Sequence, residues 1–204
     1  MNKIRKYLAL GDSYTIGEAV NESESFPYQL AGMLRLDGHL MEEVRVIAKT
    51  GWTTDELDAA IDEENQQRPI ACDQDLVSLL IGVNNQFRGR SVSEFEEEFI
   101  ALLQRTVRFA ADRPERVRVL SIPDWGVTPY AEGRDRSQIS EQIDGFNQKL
   151  ESNCSHAGMR YIYITDLTRE AVLHPELLTS DGLHPSGIDY KRWAERVRSS
   201  LKSS

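Results

Sequence analysis

Two kinds of hydrophobic pattern alternate along this chain. Short apolar runs, each closed by a glycine, a proline or a polar residue, occupy residues 4–10, 44–48, 75–82, 116–122 and 160–165. Their length and richness in Val, Ile, Leu and Tyr predict five β-strands. The run Leu76-Val77-Ser78-Leu79-Leu80-Ile81 is nearly continuous apolar, as expected of a central strand covered on both faces. Between the runs, apolar residues recur every three or four positions. Phe95, Phe99, Leu102, Leu103, Thr106 and Phe109 form one such face, and residues 139–150 and 188–201 carry two more. Thr53 with Glu56, and Ser91 with Glu94, have the spacing of helix capping boxes. Glu94, Glu96, Glu97 and Glu98 read as the wet face and favourable N-terminal charge of the helix they lie in.

Five strands separated by helices predict a parallel sheet with right-handed crossovers, a three-layer α/β/α sandwich. The expected order is 2-1-3-4-5, in which ligands bind beyond the strand C-termini where the order reverses. No repeat, low-complexity tract or linker divides the chain, so residues 1–204 are expected to form one domain.

In that order strand 1 lies between strands 2 and 3, so the residues following these three strands should meet. They are Gly11-Asp12-Ser13-Tyr14 after the first, Ala48-Lys49-Thr50-Gly51-Trp52 after the second and Gly82-Val83-Asn84-Asn85 after the third. Before the last helix stands Asp181-Gly182-Leu183-His184-Pro185. A serine nucleophile needs a base to take its proton, and an acyl-transfer oxyanion needs donors already aimed at it. Ser13 and His184 suit the first requirement, with Asp181 near enough to orient the imidazole. A glycine backbone N–H at Gly51 and a side-chain amide at Asn84 suit the second. An imidazole base works only when neutral, so activity is expected to fall below neutral pH. Asp12 reads as a turn residue bonded to the local backbone.

Taken together, these segments resemble the SGNH, or GDSL-type, hydrolase family of esterases and acylhydrolases. The matching stretches are Gly11-Asp12-Ser13-Tyr14-Thr15, Gly51, Gly82-Val83-Asn84 and Asp181-Gly182-Leu183-His184-Pro185, in the family's order and across nearly the whole chain. The resemblance implies a flavodoxin-like fold, with Ser13 as nucleophile, His184 as general base and Asp181 orienting it. It also implies an oxyanion hole built from the backbone amides of Ser13 and Gly51 and the side chain of Asn84. One position departs from the pattern: the family often has Asp after the oxyanion Asn, and here it is Asn85. That position supports the loop and takes no part in the reaction. The Gly-x-Ser-x-Gly elbow of α/β-hydrolases is absent.

Composition narrows the rest. The chain carries 24 Lys and Arg against 33 Asp and Glu, a formal net charge of −9. That balance argues against a nucleic-acid partner. The basic cluster Lys191, Arg192, Arg196, Arg198 and Lys202, at helical spacing, reads as a solvated face. Cys72 and Cys154 have no metal-ligand spacing and are expected to be two reduced, buried thiols. His39, His156 and His174 are expected at the surface, and no metal site is expected. No phosphate cradle follows strand 1, so no nucleotide or flavin cofactor is expected.

The apolar run at the N-terminus is too short for a signal peptide and no stretch approaches a membrane span, which predicts a cytoplasmic protein. Nothing in the sequence sets an oligomeric state. The loop Ser121-Ile122-Pro123-Asp124-Trp125-Gly126-Val127-Thr128-Pro129-Tyr130 leaves the same edge of the sheet as the catalytic turns. Trp125 within it, and Trp52 beside the oxyanion glycine, are candidate walls of the substrate cleft. The expected substrate is a small-molecule ester, with short acyl chains favoured because no long apolar lid is visible. A carbohydrate deacetylase or sugar esterase using the same site is the alternative, and a catalytically inactive binding module is a further one.

Overall fold

A computed structural model describes residues 3–202 of the chain, with the side chain of Lys202 outside the described residues, as are Met1, Asn2, Ser203 and Ser204. Strands and helices follow as β1 (Lys6–Asp12), α1 (Ser13–Ile16), α2 (Phe26–Leu36), β2 (Glu43–Lys49), α3 (Thr54–Gln67), β3 (Leu76–Leu80), α4 (Val83–Phe87) and α5 (Val92–Phe109). The second half adds β4 (Val117–Leu120), α6 (Arg136–Ala157), β5 (Arg160–Ile162), α7 (Thr165–Arg169) and α8 (Gly187–Lys202).

The strands form a five-stranded sheet in the order β2-β1-β3-β4-β5, and every pairing is parallel. This is the predicted topology. Helix α2 packs against α8 on one face, while α3, α5 and α6 pack in sequence on the other. The β1–β2 crossover thus lies opposite the later ones, and the reversal opens a crevice at the C-terminal ends of β1, β2 and β3. Leu8, Leu10, Val77, Leu79 and Val119 fill the sheet's faces, with Phe26, Phe95, Phe99 and Trp193 supplied by the helices. Tyr7 and Ser78, polar within this core, satisfy each other across 2.8 Å.

Strand limits differ from the pattern where side chains take the backbone donors. β1 begins at Lys6 because the Ile4 amide donates to His39 Nδ1 at 3.0 Å and that of Arg5 to Asp75 Oδ2 at 3.0 Å. His39 is therefore half-buried with a structural bond, not a free surface histidine. His156 and His174 are exposed as expected. β5 stops at Ile162, because the amides of Ile164 and Thr165 both donate to Ser121 Oγ, at 2.7 and 3.0 Å, and the chain turns into α7.

Both cysteines are free thiols; Cys154 is buried as expected, whereas Cys72 is exposed, lying in the loop before β3. The basic cluster on α8 is largely paired: Arg192 with Glu170 and Asp189, Arg196 with Asp166 and Arg198 with Asp37. Among the described residues no helix is long and apolar enough to cross a membrane, and no cluster of His, Cys, Asp and Glu could hold a metal ion.

Candidate active site

Ser13 is the first residue after β1, at the start of the one-turn helix α1. Asp12 closes the strand and caps the helix, its Oδ1 accepting from the Tyr14 amide at 3.0 Å. This is the local backbone role expected of it. The fold-back is possible because residue 11 is glycine: a Cβ there would lie 2.1 Å from Thr15 Oγ1 and 2.4 Å from the Leu80 carbonyl oxygen. Ser13 is thereby held, nearly buried, at the sheet's C-terminal edge.

His184 arrives 171 residues later from the loop before α8. That loop is fixed by an antiparallel bridge between Leu178 and Pro185, and by the Thr179 amide donating to the His184 carbonyl at 2.8 Å. Asp181 Oδ1 accepts from the amides of Leu183 and His184, at 2.8 and 2.9 Å. Its Oδ2 stands 2.7 Å from His184 Nδ1, and His184 Nε2 stands 3.0 Å from Ser13 Oγ. Carboxylate, imidazole and hydroxyl form one continuous chain. Partial burial pushes the Asp181 carboxyl up, but bonds from the His184 ring, the Thr179 hydroxyl and two backbone amides outweigh that and hold it at about 2. The carboxylate is ionised throughout the neutral range, the state that holds Nδ1 protonated and leaves Nε2 to face the serine.

The residues after β2 and β3 meet this chain where the topology requires. Ser13, Gly51, Asn84 and His184 line one cleft of about 180 Å³, with Tyr14, Thr50, Val83, Phe87, Trp125, Tyr130 and Leu183. Asn84 Nδ2 donates to the Trp52 carbonyl at 2.9 Å and lies 3.4 Å from Asp12 Oδ2. The second contact is long, so that N–H is weakly engaged. Burial pushes the Asp12 carboxyl up to about 8, against the bond from the Tyr14 amide.

Of the two candidate walls, Trp125 lines the cleft and Trp52 does not; Trp52 is half-buried against the core and contributes its carbonyl to Asn84. Adjacent residues of a tight turn diverge, so proximity to Gly51 in sequence did not place the Trp52 ring in the cleft. Trp125 is held by its indole N–H donating to Gln86 Oε1 at 2.7 Å. Its loop is anchored by Asn147, whose Oδ1 accepts from the Ile122 amide at 2.8 Å, and by Asp124 paired with Arg169 at 2.8 Å.

Phe87, Trp125 and Tyr130 pack together as an aromatic wall, and the Arg134 guanidinium sits 5.1, 5.1 and 5.8 Å from their ring centres. Contacts of this kind contribute roughly 0.5–1 kcal/mol each at exposed sites. Phe87 had one local signal available, since it lies on the same helix as Asn84, three residues on. Two larger surface grooves, of about 450 and 490 Å³, are lined by none of these residues.

Comparison with known proteins agrees with this architecture. The lipase Lip_vut3 from a goat rumen metagenome superposes with a TM-score of 0.78 at 20% identity, covering 96% of this chain and 97% of that one. The lipase/acylhydrolase from Enterococcus faecalis gives 0.67 at 23% identity, covering 98% and 96%. An acetyl xylan esterase, AlAXEase, gives 0.71 at 18% identity, covering 96% and 99%. No curated protein sequence matches the chain. The profile of one family spans residues 9–192, from the strand that leads into Ser13 to the helix that follows His184. The chain belongs to the GDSL-like Lipase/Acylhydrolase family.

Proposed function

We propose that the protein is a serine esterase that hydrolyses short-chain carboxylic esters through an acyl-enzyme intermediate. The observation that carries this reading is the chain Asp181–His184–Ser13, at 2.7 and 3.0 Å, opening onto a cleft also lined by Gly51 and Asn84. His184 Nε2 takes the proton as Ser13 Oγ attacks the ester carbonyl. The N–H groups of Ser13 and Gly51 and the Asn84 amide receive the oxyanion, each such donor contributing roughly 100- to 1,000-fold in rate. His184 then hands the proton to the leaving alcohol oxygen, and water repeats the sequence on the acyl-enzyme.

The acyl preference follows from size. At about 180 Å³ the cleft is smaller than the roughly 300–1,000 Å³ of sites for drug-sized ligands. Acetyl and butyryl groups suit it better than long chains. The same dimension favours a second reading, removal of acetyl groups from a carbohydrate, and one structural relative is an acetyl xylan esterase. In the first reading the substrate is a small-molecule ester, in the second an acetylated sugar or polysaccharide; no cofactor enters either.

The test is hydrolysis of p-nitrophenyl acetate, butyrate and octanoate by the wild type and by Ser13→Ala. We expect turnover falling with chain length in the wild type and none in the variant. A Ser13→Ala protein that retained wild-type rates would overturn the reading. Release of acetate from acetylated xylan in preference to p-nitrophenyl acetate would select the carbohydrate esterase.

A further inference from the structure

The Trp52 amide donates to the Lys49 carbonyl at 3.2 Å, closing a four-residue turn whose third residue, Gly51, has φ of 86°. Thr50 is not among the residues with positive φ, so the turn is type II. Types I and II differ by roughly 150° in ψ of the second turn residue. They therefore aim the intervening amide, here the Gly51 N–H, in nearly opposite directions. If this N–H is an oxyanion donor, something must keep the turn in its present form.

Two side chains, Asn84 in α4 and Arg88 on the residue that caps it, grip the carbonyls that follow this amide. Asn84 Nδ2 donates to the Trp52 carbonyl at 2.9 Å, and Arg88 Nη2 donates to the Gly51 carbonyl at 2.6 Å. The Arg88 amide donates to the Asn84 carbonyl at 3.0 Å, so both side chains rise from one helical turn. The other arm of the guanidinium, Nη1, pairs with Glu56 Oε1 at 3.1 Å. Glu56 Oε2 in turn accepts from the Thr53 amide at 2.9 Å, at the start of α3. Arg88 thus ties α4, the turn and α3 into one unit. It also places positive charge beside the donor, since a Cβ on Gly51 would lie 3.8 Å from Arg88 Nη2.

We propose that Arg88 is a positioning residue of the oxyanion hole, fixing the direction of the Gly51 N–H relative to the Asn84 amide. The proposal rests on the serine-esterase reading above. Its side chain is 43% exposed, so the pair with Glu56 contributes little to folding. A role in catalysis and a role in stability therefore separate experimentally. Lysine keeps the charge but cannot reach the Gly51 carbonyl and the Glu56 carboxylate together through a planar fork.

The experiment compares wild type, Arg88→Ala, Arg88→Lys and Glu56→Gln by kcat and KM on p-nitrophenyl acetate. It also measures the rate of covalent labelling of Ser13 by a fluorophosphonate, which builds negative charge on an oxygen at the same place. For Arg88→Ala we expect kcat and labelling rate to fall together by roughly 10- to 100-fold, a misaligned donor costing less than an absent one. KM should stay within about twofold and Tm within a few degrees, and Arg88→Lys and Glu56→Gln should show smaller losses in the same direction. A wild-type kcat in Arg88→Ala, or a loss appearing only in KM, overturns the proposal while leaving the esterase reading intact. If Arg88→Ala fails to fold, Arg88→Lys and Glu56→Gln decide by the same two rates. A wild type that neither hydrolyses esters nor is labelled at Ser13 overturns both.

Discussion

Asn85 Nδ2 lies 2.6 Å from Thr54 Oγ1 and 3.4 Å from Glu98 Oε2, while its Oδ1 accepts from the Thr54 amide at 3.1 Å. The amide oxygen holds the start of α3 as a carboxylate would, and the amide nitrogen answers a carboxylate that α5 presents. The departure from the family's usual Asp is thus matched by Glu98. We expect Asn85→Asp, although it restores the common residue, to destabilise this chain by about 1–3 kcal/mol at pH 7, because a carboxylate at this fully buried position would then face that of half-buried Glu98. Glu98→Gln in the same protein should recover most of the loss. Urea denaturation of the four proteins of this double-mutant cycle is the measurement. Additive losses would mean that Glu98 does not set the preference.

Asp181 contacts the His184 ring through Oδ2 and the backbone amides of Leu183 and His184 through Oδ1. Asn in its place can keep the bonds from the Leu183 and His184 amides while presenting an N–H to His184 Nδ1. That donor favours the tautomer with its proton on Nε2, facing Ser13, where it cannot accept one. We expect kcat on p-nitrophenyl acetate to fall by roughly 1,000- to 10,000-fold with Tm little changed. A loss below tenfold would show that His184 keeps its orientation without the carboxylate.

The elements that were legible in the sequence are those whose cause is local. β3 announces itself as an apolar run, α5 by its spaced Phe and Leu residues, and the Ser91–Glu94 capping box is formed as spaced, with the Glu94 amide 3.2 Å from Ser91 Oγ. Ser13, Asp181 and His184 were legible because a strand-ending turn and a three-residue spacing are features of contiguous chain. Helix α2 was not among the segments the pattern picked out: its buried Phe26, Leu30, Ala31 and Leu34 are few, and Gly32 interrupts them. Glu98 read as a wet face because nothing near it in sequence reveals that α3 brings Thr54 against it. Phe87 and Tyr130 form the cleft wall, with Arg134 over their rings, only after α4 and the 121–135 loop have been laid side by side, a relation that no short window contains.

Asp12 couples stability to pH. Its carboxyl is raised to about 8 from an ordinary value near 4, so between those limits the folded state holds a proton that the unfolded state has lost. Stability from this group is therefore fully present below pH 4 and falls as pH rises towards 8, at most by roughly 1.4 kcal/mol per pH unit. Asp189, raised to about 6 by burial against its bonds with Arg192 and Trp193, acts in the same direction over a narrower range. Asp12→Asn removes only the first contribution. The variant should gain stability relative to the wild type steadily from pH 4 to 8 and hold that gain above it. The same ionisation places a negative charge 3.4 Å from the Asn84 amide, so the wild type should lose kcat above pH 8 more steeply than Asp12→Asn. Parallel stability curves across pH 4–8 would refute the assignment.

The aromatic wall sets acyl length if it bounds the acyl side of the cleft. Phe87 and Trp125 are both in it, but they differ in what else they hold: Phe87 is 41% exposed, whereas Trp125 is 3% exposed and bonded to Gln86. Phe87→Ala removes ring volume from the cleft with little loss of core packing. Trp125→Ala also leaves a buried cavity, which costs about 3–5 kcal/mol. We expect both to raise the ratio of kcat/KM on p-nitrophenyl octanoate to that on acetate, by roughly 10-fold for Phe87→Ala, because one or two extra methylenes bound are worth about that much. Only Trp125→Ala should also lower Tm strongly. An unchanged ratio in both variants would mean that the wall packs the 121–135 loop and does not touch the acyl chain. A change confined to Trp125→Ala would trace the effect to loosening of that loop and not to the space the rings enclose.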